Sequence, residues 1–125
     1  MKPHEAWLKK AEHDLRSAKQ LIHNEAPILD TAIYHTQQCA EKALKAYLAY
    51  KQQPSQKMHD VELLVEQCFA LDSSFEALYA PAETLNPYDT AYRYPDDDME
   101  PEKMDVLDAI RKAETIFEFV KNKLT

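Results

Sequence analysis

The chain contains no glycine in 125 residues. Glycine takes left-handed backbone conformations at little steric cost, which is why it closes helix C-termini and tight hairpins. A β-rich fold, or a glycine loop cradling phosphate, is hard to build without it, so Walker-type and Rossmann sites drop out. Helices joined by loops marked with Pro and Asn remain. The length fits one domain, residues 1–125, large enough to bury a core and too small for two.

Hydrophobic periodicity then predicts where the helices lie. The first runs from His4 to His23, with Trp7, Leu8, Ala11, Leu15, Ala18, Leu21 and Ile22 recurring at three- and four-residue steps. The second runs from Asp30, read as its N-cap, to Gln52, with Ile33, Cys39, Ala40, Ala43, Leu44, Tyr47 and Leu48 on its inner side. A third begins near Asp60 and carries Val61, Leu64, Val65 and Cys68. Ser73-Ser74-Phe75-Glu76 has capping-box spacing and opens a fourth through Phe75, Leu78, Tyr79 and Ala82. After a tyrosine-rich and acidic loop from Tyr88 to Glu100, Pro101 starts the last helix. Its stripe is Val106 or Leu107, Ile110, Ala113, Phe117, Val120 and Leu124. The expected fold is all-α, an up-and-down helical bundle of about five helices.

A hydrophobic content of 45% with 30% charged residues is ordinary for a globular protein. The net charge of −7 argues against sequence-independent binding of DNA or long RNA, which needs clustered Lys and Arg to release counterions. A local basic pocket for one nucleotide is compatible with that charge. No apolar run approaches the ~20 residues of a membrane span, and Met1-Lys2-Pro3-His4-Glu5 lacks the apolar stretch of a signal peptide. Cys39 and Cys68 fall inside predicted helices, as small core residues rather than a disulfide framework. A cytoplasmic location is expected.

Chemistry concentrates in two places. On the second helix His35, Gln38, Lys42 and Lys45 follow one another at steps of three, four and three, and Glu41 stands one turn before Lys45. Such a row solvates a surface helix or supplies donors for phosphate. In the late loop, Arg93 lies between Tyr92 and Tyr94, a planar bidentate phosphate binder beside rings able to stack on bases. The same residues also read as packing tyrosines and an arginine paired with nearby acids.

The run Asp96-Asp97-Asp98, with Glu100 and Glu102, is suited to the positive end of the last helix or to Mg²⁺ on a bound nucleotide, with the helix-end role favoured. The five histidines, His4, His13, His23, His35 and His59, form no zinc-type pair, and no metal site is expected. His59 opens the third helix, where it can cap or reach a neighbouring site. No serine or cysteine sits in a nucleophile context.

Several segments together resemble the HEPN domain family. They are Ala11-Glu12-His13-Asp14-Leu15-Arg16-Ser17-Ala18, then Tyr34-His35-Thr36-Gln37-Gln38-Cys39-Ala40-Glu41-Lys42-Ala43-Leu44-Lys45-Ala46, then Lys57-Met58-His59-Asp60-Val61-Glu62-Leu63-Leu64. Tyr88, Tyr92, Arg93, Tyr94 and Pro95 match the family's tyrosine-rich loop. The resemblance implies a dimeric helical module for nucleotide or RNA, partnering a minimal nucleotidyltransferase whose site it helps complete, as in toxin–antitoxin-type systems. It also implies a site in which Lys42, Lys45 and Arg93 meet phosphate. Gln38 and His59 would add hydrogen bonds, Tyr92 or Tyr94 would stack, and a nucleotide such as ATP with Mg²⁺ would be the ligand. Other relatives are metal-independent ribonucleases with an Arg and a His separated by four to six residues. Here no histidine follows His59, and Arg16 to His23 carries that spacing in the wrong helix. A complete enzyme is therefore not expected. Cleavage using His35 or His59 with Arg93, and a structural scaffold without a nucleotide site, are the alternatives.

Overall fold

A computed structural model describes residues 1–55, 57–95 and 99–125. Five α-helices form the architecture: α1 Pro3–His23, α2 Leu29–Tyr50, α3 Val61–Leu71, α4 Tyr79–Leu85 and α5 Lys103–Lys123. Short 3-10 turns at Ser73–Leu78 and Asn86–Asp89 join the later ones, and no strand occurs among the described residues. The expected all-α bundle is what forms. No helix among the described residues is long and apolar enough to cross a membrane.

The periodic stripes meet in one core. Ala11, Leu15, Ala18 and Ile22 of α1, Ile33, Ala40, Leu44 and Leu48 of α2, and Val106, Ala113 and Val120 of α5 are all buried. Each large aliphatic chain so enclosed contributes about 1.5–3 kcal/mol. Helix α2 is the hub, packed against α1, α3 and α5, so its polar residues face neighbours on several sides. Both cysteines are free and enclosed in this core, and burial pushes the Cys68 thiol up to about 12.

Where boundaries differ from the sequence expectation, local hydrogen bonds give the reason. Asp30 is not the N-cap of α2. That position is Ile28, and Asp30 sits in the first turn, where its carboxylate accepts from the Thr31 N–H at 2.7 Å. Ser73 does not open the fourth helix. Asp72 accepts from the Ser74 N–H at 3.0 Å and sets up a 3-10 turn before α4 begins. Pro101 precedes α5, whose N-cap is Glu102. Asp60 does cap α3, accepting from the Leu63 N–H at 3.1 Å. Val106 is the stripe residue in α5, and Leu107 is 36% exposed. The acidic run Asp96-Asp97-Asp98 lies outside the described residues.

Two non-glycine residues take the left-handed conformations that glycine normally supplies, Gln52 at φ 59° and Tyr92 at φ 68°. Gln52 ends α2: its N–H donates to Ala49 O at 3.0 Å, and the Gln53 N–H donates to Leu48 O at 2.8 Å. This is the helix-terminating pattern in which glycine is preferred. Tyr92 is the costlier case, since a bulky side chain at positive φ stores about 1–3 kcal/mol. Its half-buried ring packs on the core near Tyr88, with ring centroids 6.2 Å apart. The turn it makes directs the next residue, Arg93, back over α2.

Candidate functional site

The row His35, Gln38, Lys42 and Lys45 does not stay together. At about 100° per residue, His35 and Lys42 share a direction while Gln38 and Lys45 lie about 60° round the helix. The two pairs accordingly enter two different clusters.

In the first, Asp14 of α1 receives both residues of its pair. The His35 Nδ1–H donates to Asp14 Oδ1 at 2.7 Å, and Lys42 Nζ donates to Asp14 Oδ2 at 2.7 Å. A carboxylate has no proton to give, so Nδ1 carries the hydrogen and Nε2 is left as the reactive nitrogen of His35. Burial pushes the Asp14 carboxyl up, but the bonds from His35 and Lys42 outweigh it and hold its pKa below the ordinary aspartate value. The side chain of Asp14 is 9% exposed.

Arg93 completes this side. Its guanidinium carbon lies over the Tyr34 ring, 3.9 Å from the centroid, a cation–π contact, and Tyr34 touches the His35 ring edge-on at 5.5 Å. One guanidinium N–H donates to Asp89 O at 3.4 Å. Asp30, Thr31, Tyr34, His35 and Arg93 line a cleft of about 260 Å³ at the start of α2. Arg93, with its planar donor edge, and His35 therefore share one recess, and Lys42 stands one carboxylate behind it.

The second cluster is buried. Lys45 is 2% exposed, and its ammonium donates to Glu41 Oε2 at 3.2 Å and lies 5.3 Å from the Trp7 ring centroid. Gln38 Nε2 donates to Gln37 Oε1 at 2.7 Å, and Gln37 Nε2 donates to the His59 carbonyl at 3.3 Å. His59 Nδ1 lies 3.3 Å from Glu41 Oε2, while its ring is largely exposed. Lys45 is thus an internal partner of Glu41 rather than a ligand for an outside phosphate. Gln38 and His59 line its rim. His59 faces a separate, mostly apolar groove of about 570 Å³ with Pro54, Met58 and Leu63.

Of the sequence-predicted residues, Arg93 lines the cleft and Lys42 supports it. Gln38, Lys45 and His59 belong to the other cluster. Tyr92 packs inward, and Tyr94 is 58% exposed. Asp14, Tyr34 and Thr31 were not singled out from the sequence. Asp14 did carry a signal, because it stands between Ala11 and Ala18 on the buried stripe of α1, where an unpaired acid would be costly. Among the described residues no group of three or more His, Cys, Asp or Glu is placed to hold a metal ion.

The family model for the HEPN domain matches residues 4–123. The crystal structure of ST0689, an archaeal HEPN homologue, superposes with a TM-score of 0.78 at 25% sequence identity, covering 100% of both chains. A comparison with curated proteins finds no match.

Proposed function

Since this chain belongs to the HEPN domain family, we propose that it is a binding and assembly module whose cleft at the start of α2 holds a nucleotide by its phosphates. The observation that carries this reading is Arg93 stacked on Tyr34 at 3.9 Å beside a histidine fixed by Asp14. A guanidinium held over a ring has already lost part of the freedom that phosphate binding would otherwise cost, and its N–H edge suits two phosphate oxygens. Lys42 holds Asp14 in place, and Mg²⁺ would accompany the nucleotide as a phosphate counter-ion. Lys45 serves the fold instead.

Calorimetric titration with ATP and MgATP tests this. The wild-type protein should bind, and Arg93→Ala should weaken binding about tenfold or more, the loss of one charge-assisted contact. Arg111→Ala, at an exposed side chain of α5, should change nothing. Equal binding by Arg93→Ala would overturn the reading.

The partner reading draws on the family: a homodimer that joins a minimal nucleotidyltransferase, as in toxin–antitoxin pairs. Exposed apolar side chains at Met99 (69%), Met104 (77%) and Leu107 support an interface near the start of α5. Trp7, by contrast, is taken up by packing on the core and on Lys45. Light scattering should give twice the chain mass, and a monomer at micromolar concentration would refute the dimer.

One observation favours a second reading, metal-independent RNA cleavage. A carboxylate-held imidazole and an arginine share the cleft, which supplies a general base and a charge-stabilising cation. RNA cleaved in EDTA by the wild type, and by neither His35→Ala nor Arg93→Ala, would establish it.

A further inference from the structure

We propose that Asp30 makes the cleft selective for ribonucleotides by accepting a hydrogen bond from the ribose 2′-hydroxyl. This rests on the phosphate reading above and adds the sugar to it.

Arg93 gives the cleft its positive end, but its lining also includes an acid, Asp30. A carboxylate beside a bound phosphate is repulsive unless the ligand brings a donor to it. Phosphate oxygens are acceptors. The donors nearest a nucleotide's phosphates are the ribose hydroxyls, and an acidic residue accepting from a 2′-hydroxyl is a general way to recognise ribose.

The geometry leaves Asp30 able to do this. Its Oδ1 accepts from the Thr31 N–H at 2.7 Å and from the Thr31 hydroxyl at 3.3 Å, which fixes the carboxylate. Its Oδ2 takes no bond among the described residues. As an acid in the first turn of α2, Asp30 also favours the positive helix end, but that role leaves the second oxygen open.

Size points the same way. At about 260 Å³ the cleft falls below the roughly 300–1,000 Å³ of pockets that enclose a whole ligand. It accommodates a sugar and phosphate, with the base at the mouth. Selectivity should therefore lie in the sugar and not in the base.

Titrating the full chain with ATP, dATP, GTP and tripolyphosphate tests the proposal. ATP and GTP should bind alike, and ATP should bind about 10- to 100-fold tighter than dATP, the range for a hydrogen bond to a charged group. Asp30→Ala should bring the ATP to dATP ratio to about one while tripolyphosphate binds as well as before or better. Loss of a carboxylate that served only the helix would not move that ratio. Asp30→Asn, which keeps the shape, should leave a reduced ratio and stands in if the alanine variant fails to fold by circular dichroism.

A ratio near one in the wild type, with tripolyphosphate binding, would overturn the role of Asp30 and leave the phosphate site standing. So would an unchanged ratio in Asp30→Ala. No binding of any of the four would overturn both.

Discussion

Replacing Lys45 with Met should destabilise the protein by about 3 kcal/mol, although the two side chains are similar in size. Lys45 is 2% exposed, and its ammonium is the cation bonded to Glu41, itself 5% exposed. The substitution keeps the aliphatic stem packed and removes the ammonium, with its bond to Glu41 and its place over the Trp7 ring. Glu41 would then rely on Gln37 Nε2 at 3.4 Å and the His59 ring at 3.3 Å, both long contacts. Breaking one side of a buried pair costs about 3–5 kcal/mol, and these remaining donors place the effect at the lower end. For a chain of this length 1 kcal/mol shifts Tm by roughly 4 °C, so the loss is about 12 °C.

Thermal unfolding followed by circular dichroism at neutral pH reads it. The double variant Glu41→Gln with Lys45→Met should recover most of the loss, because the uncompensated charge is gone. A Lys45→Met midpoint within about 2 °C of wild type, or a double variant no better than the single, would refute the internal-partner role of Lys45.

Other outcomes follow from the same contacts. Gln52→Gly should stabilise by about 0.5–1 kcal/mol in urea unfolding, since the φ of 59° carries a steric cost that glycine avoids, partly offset by unfolded-chain entropy. The pKa of Asp14 is lowered on folding, so its contribution is present above the ordinary aspartate value of about 3.9 and fades as pH falls through the folded value. Asp14→Asn should accordingly flatten the fall of Tm below about pH 4, and an unchanged slope would speak against the His35–Asp14–Lys42 cluster.

The bundle was legible in the sequence because every long helix carries an apolar stripe and the absence of glycine closes off the alternatives. The start of α3 near Asp60 was readable, but the cap is Asp60 itself and not His59, because the Asp60 carboxylate reaches the Leu63 N–H. Asp30 was misread because a good capping residue type says nothing of whether the cap falls two residues earlier, here at Ile28. The polar row on α2 was read as one face since steps of three, four and three look collinear. Whether 60° separates one neighbour from another depends on where α1 and the residues before α3 lie, which is tertiary information. Asp14 could have been noticed from its place on the buried stripe of α1, but the two partners that hold it come from α2, which is tertiary information. Arg93 could be named from its neighbours, but its seat on Tyr34 depends on the positive φ of Tyr92, which composition does not reveal.

The most direct test of the cleft is a titration of isotopically labelled protein with ATP, followed by amide chemical shifts. We expect the changes to concentrate at Asp30 to His35 and at Ala91 to Tyr94, and to vanish in Arg93→Ala. Changes confined to Met58 to Leu63, beside the separate apolar groove, or no changes at all, would contradict a nucleotide site at the start of α2.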